Sequence, residues 1–332
     1  MNYIIVAFII LLTLTNCTTT NSTNKYDALL QQEPYKILTD SIKSNATNAN
    51  LYITRGLLLS KNDKVDAALA DFEKAYNLVP NETNAAYYSV KLMAYAKYDT
   101  ALTFLQKCTQ KFPTNIYLNN LYGQCYIEKN KYQEAINIYA NTLAQDSLNV
   151  LAWIAKGFCY QELQKDEEAL YAFEKSFAIT PTTKAGYELA AMYAIAKNPK
   201  TLIICTQLKK LELQETKTVQ PTYYEAVYYN QIGNTNKALA LLDSCINNDY
   251  TFADAYIDKS QIYIDMKKYN EALKILTIAK QNDNKNPEVY YLTGKCFVAL
   301  GKINEAKYEF ENTLLLDNTY TAATEALEQL RK

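Results

Sequence analysis

Residues 150–183 decide the fold of this chain and read VLAWIAKGFCYQELQKDEEALYAFEKSFAITPTT. On both sides of the polar segment around Asp166, apolar residues recur with the spacing of an amphipathic helix. Gly157 and Ala169 are small residues, one in each half, and they let two helices approach closely. The large side chains that fill the space around this contact are Trp153, Tyr160 and Phe173. The segment therefore predicts two packed helices joined by a turn, ending near Pro181.

The same frame recurs along the chain. Small residues in the position of Ala169 return every 34 residues in two groups, which are Ala101, Ala135 and Ala169, and then Ala238, Ala272 and Ala306. Ala169 and Ala238 are 69 residues apart, one more than two periods, so residues 184–218 form a degenerate unit with an extra residue. Because one unit cannot bury its own apolar face, the units must stack and their ends need caps.

This pattern resembles the tetratricopeptide repeat, whose marked positions are held here by Trp153, Gly157, Tyr160, Ala169, Phe173 and Pro181. Lys156 departs from the pattern, since it stands where the repeat has leucine. The resemblance covers residues 49–320 and implies an all-α fold, a right-handed α-solenoid of about eight helix–turn–helix repeats. We expect the repeats at 49–81, 82–115, 116–149, 150–183, 184–218, 219–252, 253–286 and 287–320.

Two flanking segments are expected to cap the array. Residues 26–48 contain a helical stripe formed by Tyr35, Leu38 and Ile42. Residues 321–332 form a C-terminal helix, whose inward side chains are predicted to be Ala322, Ala323, Ala326, Leu327 and Leu330.

The N-terminus resembles a bacterial lipoprotein signal. An apolar run over residues 3–14 has the length of a secretory core and is shorter than a bilayer span. It is followed by Cys17, which the resemblance makes the lipidated first residue after a signal peptide at 1–16, and by a polar tether at 17–25. A plain secretory peptide cleaved nearby and an uncleaved anchor are the alternatives. We expect an exported chain in the cell envelope, lipid-anchored at the outer membrane and facing the periplasm.

Composition argues against several functions. The formal net charge is −1, and Arg55 and Arg331 are the only arginines, so nucleic acid is not an expected partner. The chain has no histidine, its seven glycines are scattered, and no CxxC spacing occurs. We therefore expect no bound metal, no cofactor and no enzymatic activity.

The cysteines fall at packing positions of the repeats. Cys125, Cys159 and Cys296 share one first-helix position, Cys108 and Cys245 share one second-helix position, and Cys205 lies in an apolar run of the degenerate unit. Buried free thiols are the favoured interpretation. A disulfide between Cys125 and Cys159 is the alternative in an exported protein.

The resemblance also implies where a ligand binds, because the first helix of each repeat lines a concave groove in this family. Carried over by position, the groove residues are Tyr117, Asn120, Gln124, Ile154, Phe158, Gln161, Tyr223, Asn230, Gln261, Tyr291 and Lys295. Amides satisfy peptide backbone groups and aromatic rings are favoured at interfaces, which suits a peptide or protein partner. The Lys, Asn and Arg clamp of the chaperone-tail-binding members is absent from these positions.

These features predict a scaffold or adaptor without catalytic activity, working in a cell-envelope assembly and held at the membrane by the lipid on Cys17. The alternative is a module that binds a glycan or another small ligand through Tyr223 and Tyr291 on the inner face.

Overall fold

The structure is a computed structural model that describes residues 25–212 and 218–330. These residues form nineteen α-helices and no strand, which confirms the predicted all-α class. They divide into two compact units, unit 1 ending at Leu121 and unit 2 beginning at Tyr122. The predicted signal segment 1–16 and Cys17 lie outside the described residues. Within the described ranges, no helix is both long enough and apolar enough to cross a membrane.

Unit 1 contains a short helix, a capping helix and two helix pairs. These are α1 (Asp27–Leu30), α2 (Lys36–Ser44), α3 (Ala49–Lys61), α4 (Val65–Leu78), α5 (Glu82–Ala94) and α6 (Tyr98–Lys111). The next helix, α7 (Ile116–Glu128), contains the boundary between the units.

Unit 2 continues with five helix pairs, preceded by the partner of α7 and followed by a final helix. These are α8 (Tyr132–Gln145), α9 (Val150–Glu162), α10 (Asp166–Ile179), α11 (Thr183–Ile195), α12 (Lys200–Glu212), α13 (Gln220–Gln231), α14 (Thr235–Asn248), α15 (Ala253–Asp265), α16 (Tyr269–Asn282), α17 (Pro287–Ala299), α18 (Ile303–Leu316) and α19 (Thr321–Gln329).

Each pair is held by a close helix crossing at the small residues that the sequence marks. Ala169 is fully buried, and a Cβ placed on Gly157 would lie 2.5 Å from Cε1 of Phe173. Only a residue without a side chain fits there, because Phe173 packs directly against the backbone of α9. Gly294 stands in the same relation to Phe310, with a Cβ distance of 2.5 Å.

The turn inside each pair ends the first helix in the same way. One residue adopts a left-handed conformation, and the next residue donates its N–H to a carbonyl five positions back, as in Lys165 N to Tyr160 O at 2.9 Å. Glycine holds the left-handed position at Gly233 and Gly301, and the other occupants are Asp63, Ala96, Asn130, Gln164, Lys197 and Lys267.

The first helix pair is closed by a buried charged network. Arg55 donates from Nε and Nη2 to the two carboxylate oxygens of Asp71, each at 2.7 Å, and from Nη1 to Oγ1 of Thr39 at 3.0 Å. Thr39 lies on α2 beside the buried Tyr35 and Ile42 of the predicted cap. One guanidinium therefore joins α2, α3 and α4.

At the other end, α19 covers the last pair. Ala323 is fully buried against Ala306 and Phe310. Ala326, Leu327 and Leu330 pack partly buried against the same cluster. Four of the five predicted inward residues of this helix thus join the core, and Ala322 lies half-buried outside that cluster.

The degenerate unit forms both of its helices, α11 and α12.

Candidate functional site

The predicted groove residues of α9 lie half-buried and contact α11. Gln161 donates from Nε2 to Oε2 of Glu188 at 2.9 Å. The Nζ of Lys184 lies 4.9 Å from the ring centroid of Phe158, and Ile154 packs against the same core cluster as Phe158. The three predicted residues thus lie on α9, and two of them, Phe158 and Gln161, contact side chains of the next first helix, α11.

On α13, Tyr223 is held by rings and by a carboxyl group. Its ring centroid lies 5.2 Å from that of Phe252 and 5.6 Å from that of Tyr224. Burial raises the pKa of the Tyr223 hydroxyl, and the nearby carboxyl groups of Asp258 and Asp254 raise it further. This phenol therefore stays protonated at neutral pH and is engaged with its own neighbours.

A carboxyl pair accompanies Tyr223 on α15. Burial raises the pKa of Asp258, a hydrogen bond from Tyr223 lowers it, and the charge of Asp254 raises it. Tyr223 therefore lies beside two carboxyl groups of α15, those of Asp254 and Asp258.

The remaining predicted residues of unit 2 have mixed environments. Gln261 donates from Nε2 to Oδ1 of Asp265 at 2.6 Å, and Asn230 is exposed. The ring of Tyr291 lies 5.7 Å from Phe310 and 5.1 Å from Tyr320 by centroid distance. The Nζ of Lys295 lies 5.7 Å from the Tyr291 ring centroid, so these two predicted residues are in contact.

Three predicted residues lie on α7. Tyr117 is exposed and Asn120 is half-buried, both in the part of α7 that belongs to unit 1. Gln124 belongs to unit 2 and donates from Nε2 to Oε1 of Glu128 on its own helix at 2.7 Å.

The predicted groove residues begin at Tyr117, yet unit 1 contains a cleft of about 620 Å³ between the beginnings of α3 and α5. Its polar lining includes Thr47, Asn48, Asn50, Asn81, Thr83 and Asn84. Asn50 and Thr83 occupy the same repeat position as Tyr117, so the positional rule used for later repeats also identifies this cleft.

The thiols are unsuited to nucleophilic chemistry. The six cysteines in the described residues are free and buried, as predicted for Cys125 and Cys159. Burial raises the pKa of Cys205 to about 12 and that of Cys159 to about 11. Because the thiolate is the reactive form, these groups are inert at neutral pH. Within the described residues, no group of three or more carboxylates and thiols is placed to hold a metal ion.

Three stretches of the chain match known sequence families. Residues 49–82 and 231–296 match two families described as tetratricopeptide repeat. Residues 94–176 match a family described as anaphase-promoting complex, cyclosome, subunit 3.

Individual relatives are distant. The DnaJ homolog subfamily C member 7 homolog of Dictyostelium discoideum is 22% identical over 224 residues, which are 63% of this chain and 42% of that protein. Human anaphase-promoting complex subunit 7 is 21% identical over 204 residues, 61% of this chain and 36% of its own length. The probable UDP-N-acetylglucosamine–peptide N-acetylglucosaminyltransferase SPINDLY of Hordeum vulgare is 24% identical over 164 residues, 46% of this chain and 17% of the enzyme. The chain thus spans less than half of each relative.

Two solved structures share the fold. The crystal structure of the APC/C hetero-tetramer Cut9–Hcn1 aligns with 94% of this chain and 61% of its own, at a TM-score of 0.50 and 14% identity. The crystal structure of PilW, described as a widely conserved type IV pilus biogenesis factor, aligns with 65% of this chain and 98% of its own. Its TM-score is 0.53 at 15% identity. At these identities the likeness concerns the fold alone.

Proposed function

Because the chain is a tetratricopeptide repeat protein, we propose that it is a scaffold without catalytic activity that holds a peptide or protein partner on the inner face of its repeats. The repeat family gives it a protein–protein interaction role. We further propose that it is exported, lipid-anchored through Cys17 at the outer membrane facing the periplasm, and engaged in a cell-envelope assembly.

Half-exposed amide and aromatic side chains on neighbouring first helices of unit 2 carry the binding proposal. Gln161, Phe158 and Lys184 supply hydrogen-bonding, aromatic and cationic contacts from α9 and α11. Aromatic side chains are enriched in protein interfaces, and an amide can pair with the backbone groups of a peptide. In contrast, Tyr223 and Tyr291 each contact two other aromatic rings, which leaves less ring surface for a stacked sugar and disfavours the glycan alternative.

Site-specific photo-crosslinking in living cells tests the binding proposal. A photoreactive amino acid is placed at Gln161, Gln261 or Lys295 on the first helices. Matched controls carry it at Tyr171 and Tyr308, which are exposed on the second helices α10 and α18. We expect one envelope protein to be crosslinked from the first-helix positions and not from Tyr171 or Tyr308. Equal crosslinking from both sets, or none from the first helices, would refute the proposal.

The lipid anchor has a separate test. The apolar run at 3–14 followed by Cys17 supports it. We expect mass spectrometry of the mature protein to find an N-terminal Cys17 bearing a diacylglyceryl group, and Cys17→Ser to move the chain from the membrane fraction to the soluble fraction. An unmodified N-terminus at another residue would contradict lipidation without affecting the binding proposal.

A further inference from the structure

We draw no further inference here: the strongest candidate, the largely apolar groove of about 370 Å³ between α10, α11 and α12, which Phe177, Leu189, Ile203 and Ile204 help to line, is an unpartnered face and nothing in the structure shows what covers it.

Discussion

In unit 1, the cleft between α3 and α5 is lined by uncharged amides and hydroxyls, whereas the first helices of unit 2 carry amides, carboxylates and tyrosines that contact one another. Gln161 is bonded to Glu188, and Asp258 accepts from Tyr223. A partner that binds unit 2 must therefore displace hydrogen bonds that these side chains already make. In the cleft of unit 1, Asn48 and Asn81 make their N-cap hydrogen bonds through Oδ1 and have the Nδ2 groups left to donate. Both regions are built from the same repeat. The residues at its packing positions are therefore similar in the two regions, whereas the side chains on its surface differ from one repeat to the next.

The largest contrast concerns a buried ion pair in unit 1 and a partly exposed one in unit 2. The side chains of Arg55 and Asp71 are 5% and 7% exposed, whereas Asp243, the partner of Lys259, is 52% exposed. We expect Arg55→Ala to lower the free energy of unfolding by about 3–5 kcal/mol, because Asp71 is left buried without a partner. Lys259→Ala should cost less than about 1 kcal/mol, because Asp243 regains water.

Urea titrations followed by circular dichroism measure both costs. Asp71→Asn added to Arg55→Ala serves as the control and should recover part of the loss, since the uncompensated charge disappears. If Arg55→Ala and Lys259→Ala lower the free energy of unfolding equally, the burial of the ion pair does not determine the cost of breaking it.

The next contrast concerns how tightly helices cross in the two units. A Cβ on Gly157 in unit 2 would lie 2.5 Å from Phe173, but a Cβ on Gly56 in unit 1 would lie 3.1 Å from Phe72. We expect Gly157→Ala to destabilise by about 1–3 kcal/mol through overpacking. Gly56→Ala should be close to neutral, because the gain of up to about 1 kcal/mol in helix propensity offsets a small adjustment of Phe72.

Trp153 is the only tryptophan and lies in unit 2, so its fluorescence during urea titration reports the Gly157 variant directly. Circular dichroism reports the Gly56 variant. A larger loss for Gly56→Ala than for Gly157→Ala would show that the closeness of the crossing does not set the cost.

A third contrast concerns the pH dependence of stability, which we expect in unit 2 because of the carboxyl groups of Asp254 and Asp258 on α15. Since the folded pKa of Asp258 is raised, mainly by burial, its contribution to stability is present at low pH and is lost as the pH rises through that folded pKa. Asp258→Asn should remove this loss of stability at high pH, because an amide does not ionise. We expect it to stabilise the protein by up to about 1 kcal/mol at pH 7 and to have no effect at pH 3.

Thermal unfolding at the two pH values, followed by Trp153 fluorescence, checks this prediction. Asn84→Asp in unit 1 makes the opposite exchange, of an amide for a carboxyl group. It should destabilise the protein at pH 7, because it places a carboxylate in a buried position. Stabilisation by Asp258→Asn that is equal at both pH values would exclude titration as the cause.

The packing positions could be predicted from the sequence, and the surface chemistry could not. Gly157, Ala169 and Phe173 specify the helix crossing because their sizes alone determine how two helices approach. The link from Arg55 to Asp71 and Thr39 was missed, because it joins three helices and no local pattern marks it. The cleft in unit 1 was missed for a different reason. Asn48 and Asn81 look like ordinary N-caps in the sequence, and the positional rule that would have named Asn50 and Thr83 of the same cavity was applied only to the later repeats.

The smallest contrast concerns the left-handed residues of the turns. Ala96 in unit 1 has a φ of 54° and Asn130 in unit 2 has a φ of 56°. Alanine is strained in this conformation, whereas asparagine tolerates it. We expect Ala96→Gly to stabilise by about 0.5–1 kcal/mol and Asn130→Gly to change the free energy of unfolding by no more than a few tenths. Urea unfolding midpoints of the two variants, each compared with that of the unaltered protein, measure both changes. A gain at Asn130 as large as the gain at Ala96 would mean that the turn conformation, and not the residue that occupies it, sets the strain in both units.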